Sequence, residues 1–366
     1  MPTECEYSEC SNIIDENAHG NRKFCSSLCR RRNTAKYEWE DRERVCRGCG
    51  TPFTAQSPNQ RFCKRTCTRQ HENEKRRDIS LDLDEPLTGR DEQMEKLFRY
   101  YEAQHSIVID ERPEGSRLVI LSDLQLPFVD EPLLRAVNRF IKDFKPHDII
   151  YNGDIIDCYE VSDFDKRPAR MFNLDDECEM AKDILRQHKR ESLPDTKLWW
   201  IDGNHEQRYQ RVIWKRASGF EFAVKDLAEL LELDELTEGF VPYGKHIEFL
   251  GFTITHGNFV SQFSGYTARK HYDRYHSSGV NGHTHRLGSY YHTDMHGKQH
   301  AWFEMGCLCR KDLEYVKGVA NWQQGFMIGT VLGGALHPQL IHVIQYKSGK
   351  RGFYANGTHY PIFDEI

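Results

Sequence analysis

The residues that could do chemistry fall in five short stretches: Asp123 with Gln125, Asp154, Asn204-His205, His256, and His283 with His285. Carboxylate and amide oxygens mixed with imidazoles suit a two-metal site for hard or borderline divalent ions. Any one of these histidines alone reads as an ordinary core or surface residue. Five such elements, each just past a run of β-favouring residues, do not fit coincidence. The central one is Tyr151-Asn-Gly-Asp-Ile-Ile-Asp157. There Ile149 and Ile150 run into Asn152-Gly153, a short buried strand ending at a tight turn. A carboxylate just past that end, with a glycine beside it, faces a cleft rather than the core.

The elements that must position these groups can be read from the pattern around them. Arg117-Leu-Val-Ile-Leu-Ser122 is a near-continuous apolar strand that delivers Asp123-Leu-Gln125. An amphipathic helix from Asp130 to about Phe144 leads into the strand before Asp154. A second helix, from Asp175 to about Glu191, precedes the strand Lys197-Leu-Trp-Trp-Ile-Asp202, which delivers Gly203-Asn-His-Glu206. A strand pair over His246 to Thr255 ends in Thr255-His-Gly257, and Gly279-Val-Asn-Gly ends in His283-Thr-His285. Strands alternating with helices predict an α/β layer structure with its active groups on the loops after strands. The last 80 or so residues are strand-rich and punctuated by glycine. Within them, Gly325 to Ile344 is the most apolar window, but His337, Pro338, Gln339 and His342 interrupt it. It reads as two core strands joined by a turn, not as a membrane helix.

Cysteine usage divides the 366-residue chain, which is long enough for one large domain or two ordinary ones. Eight of twelve cysteines lie before residue 68, as Cys5, Cys10, Cys25, Cys29 and then Cys46, Cys49, Cys63, Cys67. The text around them repeats, with Lys23-Phe-Cys-Ser-Ser-Leu-Cys-Arg30 answered by Arg61-Phe-Cys-Lys-Arg-Thr-Cys-Thr68. The start, Met-Pro-Thr-Glu-Cys, has neither a basic n-region nor an apolar h-region, so the chain is read as cytoplasmic. On the same ground Asn356-Gly-Thr carries no weight as a glycosylation acceptor. A duplicated four-cysteine unit in that setting is metal binding before disulfide, giving two structural zinc ions. The second pair of each unit, four residues apart, can face one side of a helix's first turn, where the helix dipole favours thiolate. Cys46-Arg-Gly-Cys49-Gly is a tight knuckle whose glycines permit the turn. Cys158, Cys178, Cys307 and Cys309 are buried or incidental, and Cys307-Leu-Cys309 has the wrong spacing for a knuckle.

Residues 1–77 hold 16 Lys/Arg against 11 Asp/Glu. Two four-thiolate zinc sites take back four of those five charges, so Arg30-Arg-Arg32 and Lys64-Arg65 form patches rather than a strongly basic domain. Nucleic-acid binding, protein docking and simple stapling all stay open for this part. Between it and the α/β region, residues 70 to about 116 form a connector. In it Met94, Leu97, Phe98 and Tyr101 lie at helical spacing after Asp91. Asp163, Asp165 and Arg167 either line the substrate cleft or belong to a solvated loop.

Taken in order, D-x-Q, GD-x-x-D, GNHE, THG and GHTH resemble the calcineurin-like metallophosphoesterase superfamily over about residues 116 to 345. The cysteine units resemble small treble-clef-like zinc fingers over about the first 70 residues. The first resemblance implies a four-layer α-β-β-α sandwich, preceded here by the small zinc-finger units. It implies a dinuclear centre of manganese, magnesium, iron or zinc. One metal takes Asp123, Gln125, Asp154 and His285; the other takes Asp154, Asn204, His256 and His283, with Asp154 bridging. Two cations about 3.5–4 Å apart need an anionic group between them, and they lower a bound water's pKa towards about 7, giving hydroxide for in-line attack on phosphorus. His205 is similar to the family's catalytic histidine, donating to the leaving oxygen, with Glu206 orienting it. Asp157 is a partner that orients ligands or His205. Arg208 either clamps a phosphate oxygen or pairs with Glu206 or Asp157.

Two positions depart from the family. Gln125 stands where histidine is usual, a weaker and harder ligand that favours manganese or magnesium. Cys158-Tyr159 stands where the protein Ser/Thr phosphatases of the superfamily place Arg-Gly, which counts against that branch. The domain reading is a finger over 1–35, a finger over 42–72, a linker with a helix over 73–115, the phosphoesterase domain over 116–350 and a C-terminal tail over 351–366. The leading function is a metal-dependent phosphodiesterase, nuclease-like, on nucleic acid or nucleotides. The alternatives are a phosphatase for small molecules or proteins with fingers as docking modules, and a non-catalytic nucleic-acid-binding adaptor. No membrane partner is expected, and the sequence is silent on oligomeric state.

Overall fold

The computed structural model describes residues 3–5, 10–11, 13–14, 23–26, 29, 43–55, 60–64, 66–67, 106–162, 172–313 and 318–364. The expected helix after Asp91, most of the connector, Arg30-Arg-Arg32, Arg65, and Asp163, Asp165 and Arg167 lie outside those residues. The chain divides into two compact units, Met1–Leu87 and Thr88–Ile366.

In the first unit, β1 (Thr3–Glu4) pairs antiparallel with β2 (Ile13–Ile14), and β3 (Glu43–Val45) with β4 (Pro52–Thr54). Each pair stands beside a cysteine quartet. Cys25 Sγ lies 3.5 Å from both Cys10 Sγ and Cys29 Sγ, and Cys63 Sγ lies 3.6 Å from both Cys49 Sγ and Cys67 Sγ. The backbone N–H groups of Cys25 and Cys63 donate to Cys5 Sγ and Cys46 Sγ. None of the eight is in a disulfide. Four thiolates about 2.3 Å from one tetrahedral zinc would stand nearly 4 Å apart, so these spacings fit the ion. The backbone is helical at Cys29 and at Thr66–Cys67, as the four-residue spacing expects.

The second unit is built on two six-stranded sheets. One contains β5 (Ile107–Ile109), β10 (Ile247–Phe249), β11 (Phe252–Thr255), β12 (Ser278–Asn281), β13 (Leu287–Thr293) and β14 (Gln299–Met305), in the order β13-β14-β12-β11-β10-β5. The other contains β6 (Arg117–Leu121), β7 (Asp148–Asn152), β8 (Lys197–Ile201), β9 (Gly239–Val241), β15 (Gly325–Leu332) and β16 (Ala335–His342), in the order β16-β15-β6-β7-β8-β9. Among the described residues the helices are α1 (Glu131–Phe144), α2 (Leu174–Glu191), α3 (Glu206–Arg216), α4 (Leu227–Leu230), α5 (Leu233–Leu236) and α6 (Tyr266–Tyr275).

Period-two patterning makes the layers. In the second sheet Leu118, Ile120, Ile150, Trp199 and Ile201 face Ile247, Phe249, Ile254 and Val280 of the first. The alternate residues Val119, Leu121, Ile149, Tyr151, Leu198 and Trp200 face α1 and α2. On the far side of the first sheet, Ala268 and Tyr272 of α6 pack on Trp302. The result is the helix–sheet–sheet–helix order the resemblance implied. α1 starts where Asp130 accepts from the Leu133 N–H, and it buries Leu133, Ala136, Val137, Phe140, Ile141 and Phe144 on one stripe. α2 starts with a capping box between Asn173 and Asp176. The apolar window after Gly325 is two antiparallel strands turning at Gly333-Gly334. Among the described residues no helix is long and apolar enough to cross a membrane.

Two boundaries differ from the sequence reading. The residues expected as a C-terminal tail form β18 (Arg351–Ala355) and β19 (Thr358–Ile362), a hairpin joined by β17 (Ile344–Gln345) into a third sheet. Phe353 and Tyr360 are buried there against Phe140 of α1, with ring centroids 6.2 and 5.4 Å away. Arg351 pairs with Asp130, the cap of α1. The linker region likewise supplies β5, an edge strand whose Ile109 is buried. Both segments are too short to stand out in sequence: β5 is three apolar residues, and the hairpin strands are five residues each of mixed character. Phe353→Ala should therefore cost about 3–5 kcal/mol of stability in urea unfolding; a loss within experimental error would return the hairpin to the status of a tail.

Candidate dinuclear metal centre

The parallel strands β6, β7 and β8 end in one row, with Leu121, Tyr151 and Trp200 in register, and the loops beyond carry Asp123, Gln125, Asp154, Asn204 and His205. In the facing sheet, β11 and β12 run parallel to the pair Thr255–Asn281 and deliver His256, His283 and His285. Asn152, the last residue of β7, ties the two edges by donating from its Nδ2 to the Thr255 carbonyl at 3.0 Å. Sheet register thus sets the position of every candidate group.

The loops after β6 and β7 are zipped together. The N–H groups of Asp123, Gln125 and Leu126 donate to the carbonyls of Gly153, Asp154 and Ile155 at 3.0, 2.9 and 2.8 Å. Ser122 Oγ lies 2.5 Å from Asp123 Oδ2, to which it donates, and 2.8 Å from the Asn152 carbonyl. Asp123, Gln125, Asp154, His283 and His285 all have φ between 52° and 68°, the left-handed region that side chains avoid. Such strain persists only where its surroundings over-determine it, and here five of the eleven non-glycine cases among the described residues fall in one cluster. Gly153, at φ 79°, has no room for a side chain: a Cβ would stand 2.5 Å from His256 Nδ1.

Side-chain atoms of Asp123, Asp154 and His285 converge within 4.8 Å of one another, and so do those of Asp154, His256 and His283. Asp154 belongs to both groups. His256 donates from Nδ1 to the Asn152 carbonyl at 2.9 Å, which turns Nε2 to within 3.3 Å of Asp154 Oδ1 and 3.2 Å of Asn204 Oδ1. A backbone acceptor on one ring nitrogen is how a metal-binding histidine is usually held. His285 Nε2 lies 3.0 Å from Asp123 Oδ1, and the Gln125 amide stands 3.3 Å from Asp154 Oδ2 and 3.5 Å from His285 Nε2. Buried His283 Nδ1 makes no hydrogen bond. A divalent ion would satisfy these converging lone pairs, so the residues fit the group.

The electrostatics say the same. Burial alone would raise Asp154, but His205 and His256 hold it well below the carboxylate range. Burial opposes charge on His256, yet Asp154 and Asp123 push it up to about 10. Burial also opposes charge on His285, and Asp123 pushes it up to about 9. His283, buried and beside His256, is pushed down to about 4. Without metal, protons on His256 and His285 carry the compensating charge.

The structure brings all seven expected ligands, His205, Asp157 and Arg208 to one place, with one correction. Glu206 does not orient the His205 ring. Its carboxylate accepts the backbone N–H groups of Asp154, Ile155, Ile156 and Gly203 at 2.8–3.1 Å, clamping the turn that presents Asp154. That geometry is invisible in sequence, because a carboxylate next to histidine suggests a side-chain pair. The ring is held by Asp157 instead: His205 Nδ1 donates to its carbonyl at 3.0 Å, with the carboxylate Oδ1 also 3.0 Å away. Arg208 donates to the Asp157 carbonyl at 2.9 Å and to His205 Nε2 at 2.8 Å. Of the cysteines set aside as incidental, Cys309 is buried with its Sγ 3.7 Å from His285 Nδ1, and Trp322 packs edge-on against the same ring at 4.3 Å. No spacing in the sequence marks either residue.

Residues 116–315 match the family model described as calcineurin-like phosphoesterase. The chain belongs to that family. Two curated relatives are the Gene 54 protein of Mycobacterium phage D29, 32% identical over 247 residues, and its namesake in Mycobacterium phage L5, 31% identical over 252 residues. Each alignment covers 63% of this chain and 94% of the relative. Among solved structures, Chaetomium thermophilum Vps29 is similar with TM-score 0.38 and 10% identity, covering 69% of this chain and 98% of that one. Pseudomonas putida nuclease MPE is similar with TM-score 0.30 and 13% identity, covering 67% and 86%. As a calcineurin-like phosphoesterase the protein is a hydrolase of phosphoester bonds, and the family works through a dinuclear divalent metal centre.

Loading the active site should release at least two protons per chain at pH 7, because His256 and His285 must become neutral to ligate and bound water is acidified as well. The sign follows: protons compete with metal, so affinity falls at lower pH and climbs as pH rises towards 9–10. Calorimetry in buffers of different ionisation enthalpy counts the protons, and a count of zero contradicts this charge balance.

Proposed function

We propose that the protein is a metal-dependent phosphodiesterase of nuclease-like type, acting on nucleic acid or nucleotides, with two structural zinc units at its N-terminal end. The observation that carries the proposal is the Asp154 carboxylate common to both ligand groups, with His205 Nε2 3.7 Å from its Oδ2. One metal would be held by Asp123, Gln125, Asp154 and His285, the other by Asp154, Asn204, His256 and His283. Bound there, two divalent ions supply positive charge to the phosphoryl oxygens and make water acidic enough to attack at neutral pH. The chain's own groups do the rest. Asp157 fixes His205 through Nδ1, so Nε2 can carry and give a proton to the departing oxygen once the Arg208 contact on it is released. Arg208, already on Nε2, is placed to hold a phosphoryl oxygen once substrate enters. Glu206 keeps Asp154 in its strained turn and touches no substrate.

The cysteine quartets support the nucleic-acid side of the reading, since small zinc units commonly serve as binding modules. Asp154→Asn should abolish hydrolysis of bis-p-nitrophenyl phosphate with manganese and lower active-site metal content; an active variant with two metals contradicts the shared ligand. His205→Asn should instead keep its metals and lose about 100- to 10,000-fold in kcat. Removing residues 1–70 should weaken cleavage of DNA or RNA more than cleavage of the small diester. Equal losses would remove the reason for assigning the zinc units to nucleic acid.

A further inference from the structure

Two segments leave the centre directly from its candidate groups, and both carry features the hydrolytic chemistry does not use. The first is the loop after His256-Gly257, which runs into α6. Val260, Phe263 and Tyr266 stand there 58%, 54% and 60% exposed, with the two aromatic rings 5.5 Å apart, edge to face. This loop is braced. Arg286, next to His285, donates to the Ser261 and Gln262 carbonyls at 2.6 and 3.2 Å, and Lys270 Nζ donates to the Val260 carbonyl at 2.9 Å. Ser264 Oγ donates to the Leu287 carbonyl, and the Gly265 N–H donates to Glu304 at 2.6 Å. The backbone therefore holds apolar rings outward, in water, on the loop that leaves the centre at His256.

The second segment is α3, which begins at His205-Glu206. Arg208, Arg211 and Lys215 recur at three- and four-residue intervals along one of its faces, followed by Arg216. Residues 207–216 and 258–276 together hold seven Lys/Arg and one Asp, in a chain whose net charge is −6. Positive charge is thus concentrated on the two segments that radiate from the centre. A ligand matching both features is a polyanion whose phosphates are flanked by planar apolar groups. That is a nucleic-acid strand with its bases unpaired, because paired bases in a duplex hide the faces that aromatic rings stack on.

We propose that Phe263 and Tyr266 form a stacking platform for bases of single-stranded nucleic acid whose scissile phosphate lies at the dinuclear centre, with Arg211 and Lys215 along its backbone. This rests on the phosphodiesterase reading and narrows its substrate class. A protein ligand would use the rings without needing the cations, and so matches half of the surface.

The test compares wild type with the double variant Phe263→Ala/Tyr266→Ala, both positions exposed enough that folding is not at stake. Cleavage of a single-stranded oligothymidylate and of bis-p-nitrophenyl phosphate is measured with manganese. The ratio of kcat/KM for the oligomer to that for the diester should fall by about tenfold or more. An unchanged ratio overturns the platform. Fluorescence anisotropy of a labelled oligothymidylate with calcium in place of manganese reads binding without turnover. About tenfold weaker binding by the variant supports the platform, and equal binding overturns it, whether or not the wild type hydrolyses either substrate. Failure of wild type to hydrolyse the diester would count against the phosphodiesterase reading alone. A matched duplex should lose less affinity than the single strand, and an equal loss overturns base stacking as the cause.

Discussion

A carboxylate buried to the extent of Asp154 has to be matched by positive charge, or the surrounding structure could not tolerate it. Much of the second unit is arranged around that requirement. Two sheets end at one edge so that histidines from one can face aspartates from the other. The Gly153 turn has no room for a larger residue because His256 closes over it. Four backbone N–H groups are committed to Glu206 so that the strained turn stays in place. In the metal-free protein, protons on His256 and His285 balance the carboxylates. Divalent ions can take over that balance, which ties metal affinity to pH and makes the ligand set more than a coincidence of residue types.

The same constraint separates groups that look equivalent in sequence. His205 and Glu206 are neighbours, yet one ring points to the reaction space while the other side chain turns back to hold backbone. Asp157, three residues past Asp154, falls outside both ligand groups and instead fixes the His205 ring. Strain concentrates accordingly. Asp123, Gln125, Asp154, His283 and His285 share left-handed backbone because each must aim a side chain off a strand end into a common cavity. A regular extended backbone would alternate them to opposite faces.

Much of this was legible in the sequence, for physical reasons that can be named. Strands buried on both faces write themselves as continuous apolar runs, so Arg117–Leu121, Asp148–Asn152 and Lys197–Ile201 stood out. The family matches residues 116–315, and the ordered motifs carry that resemblance by themselves. What stayed hidden depends on long-range pairing. Nothing local places Cys309 behind His285 or Asn152 across to Thr255; only the sheet register does that. The hairpin of Arg351–Ala355 and Thr358–Ile362 is short and partly polar, and its place in the core depends on Phe140, more than 200 residues earlier.

The account turns on one carboxylate serving two ions. Electron paramagnetic resonance of the manganese-loaded protein measures this directly, because two Mn(II) ions sharing a carboxylate are magnetically coupled. The account predicts an exchange-coupled pair in the wild type that Asp154→Asn converts to isolated ions. Two uncoupled ions in the wild type, or a single one, would contradict it.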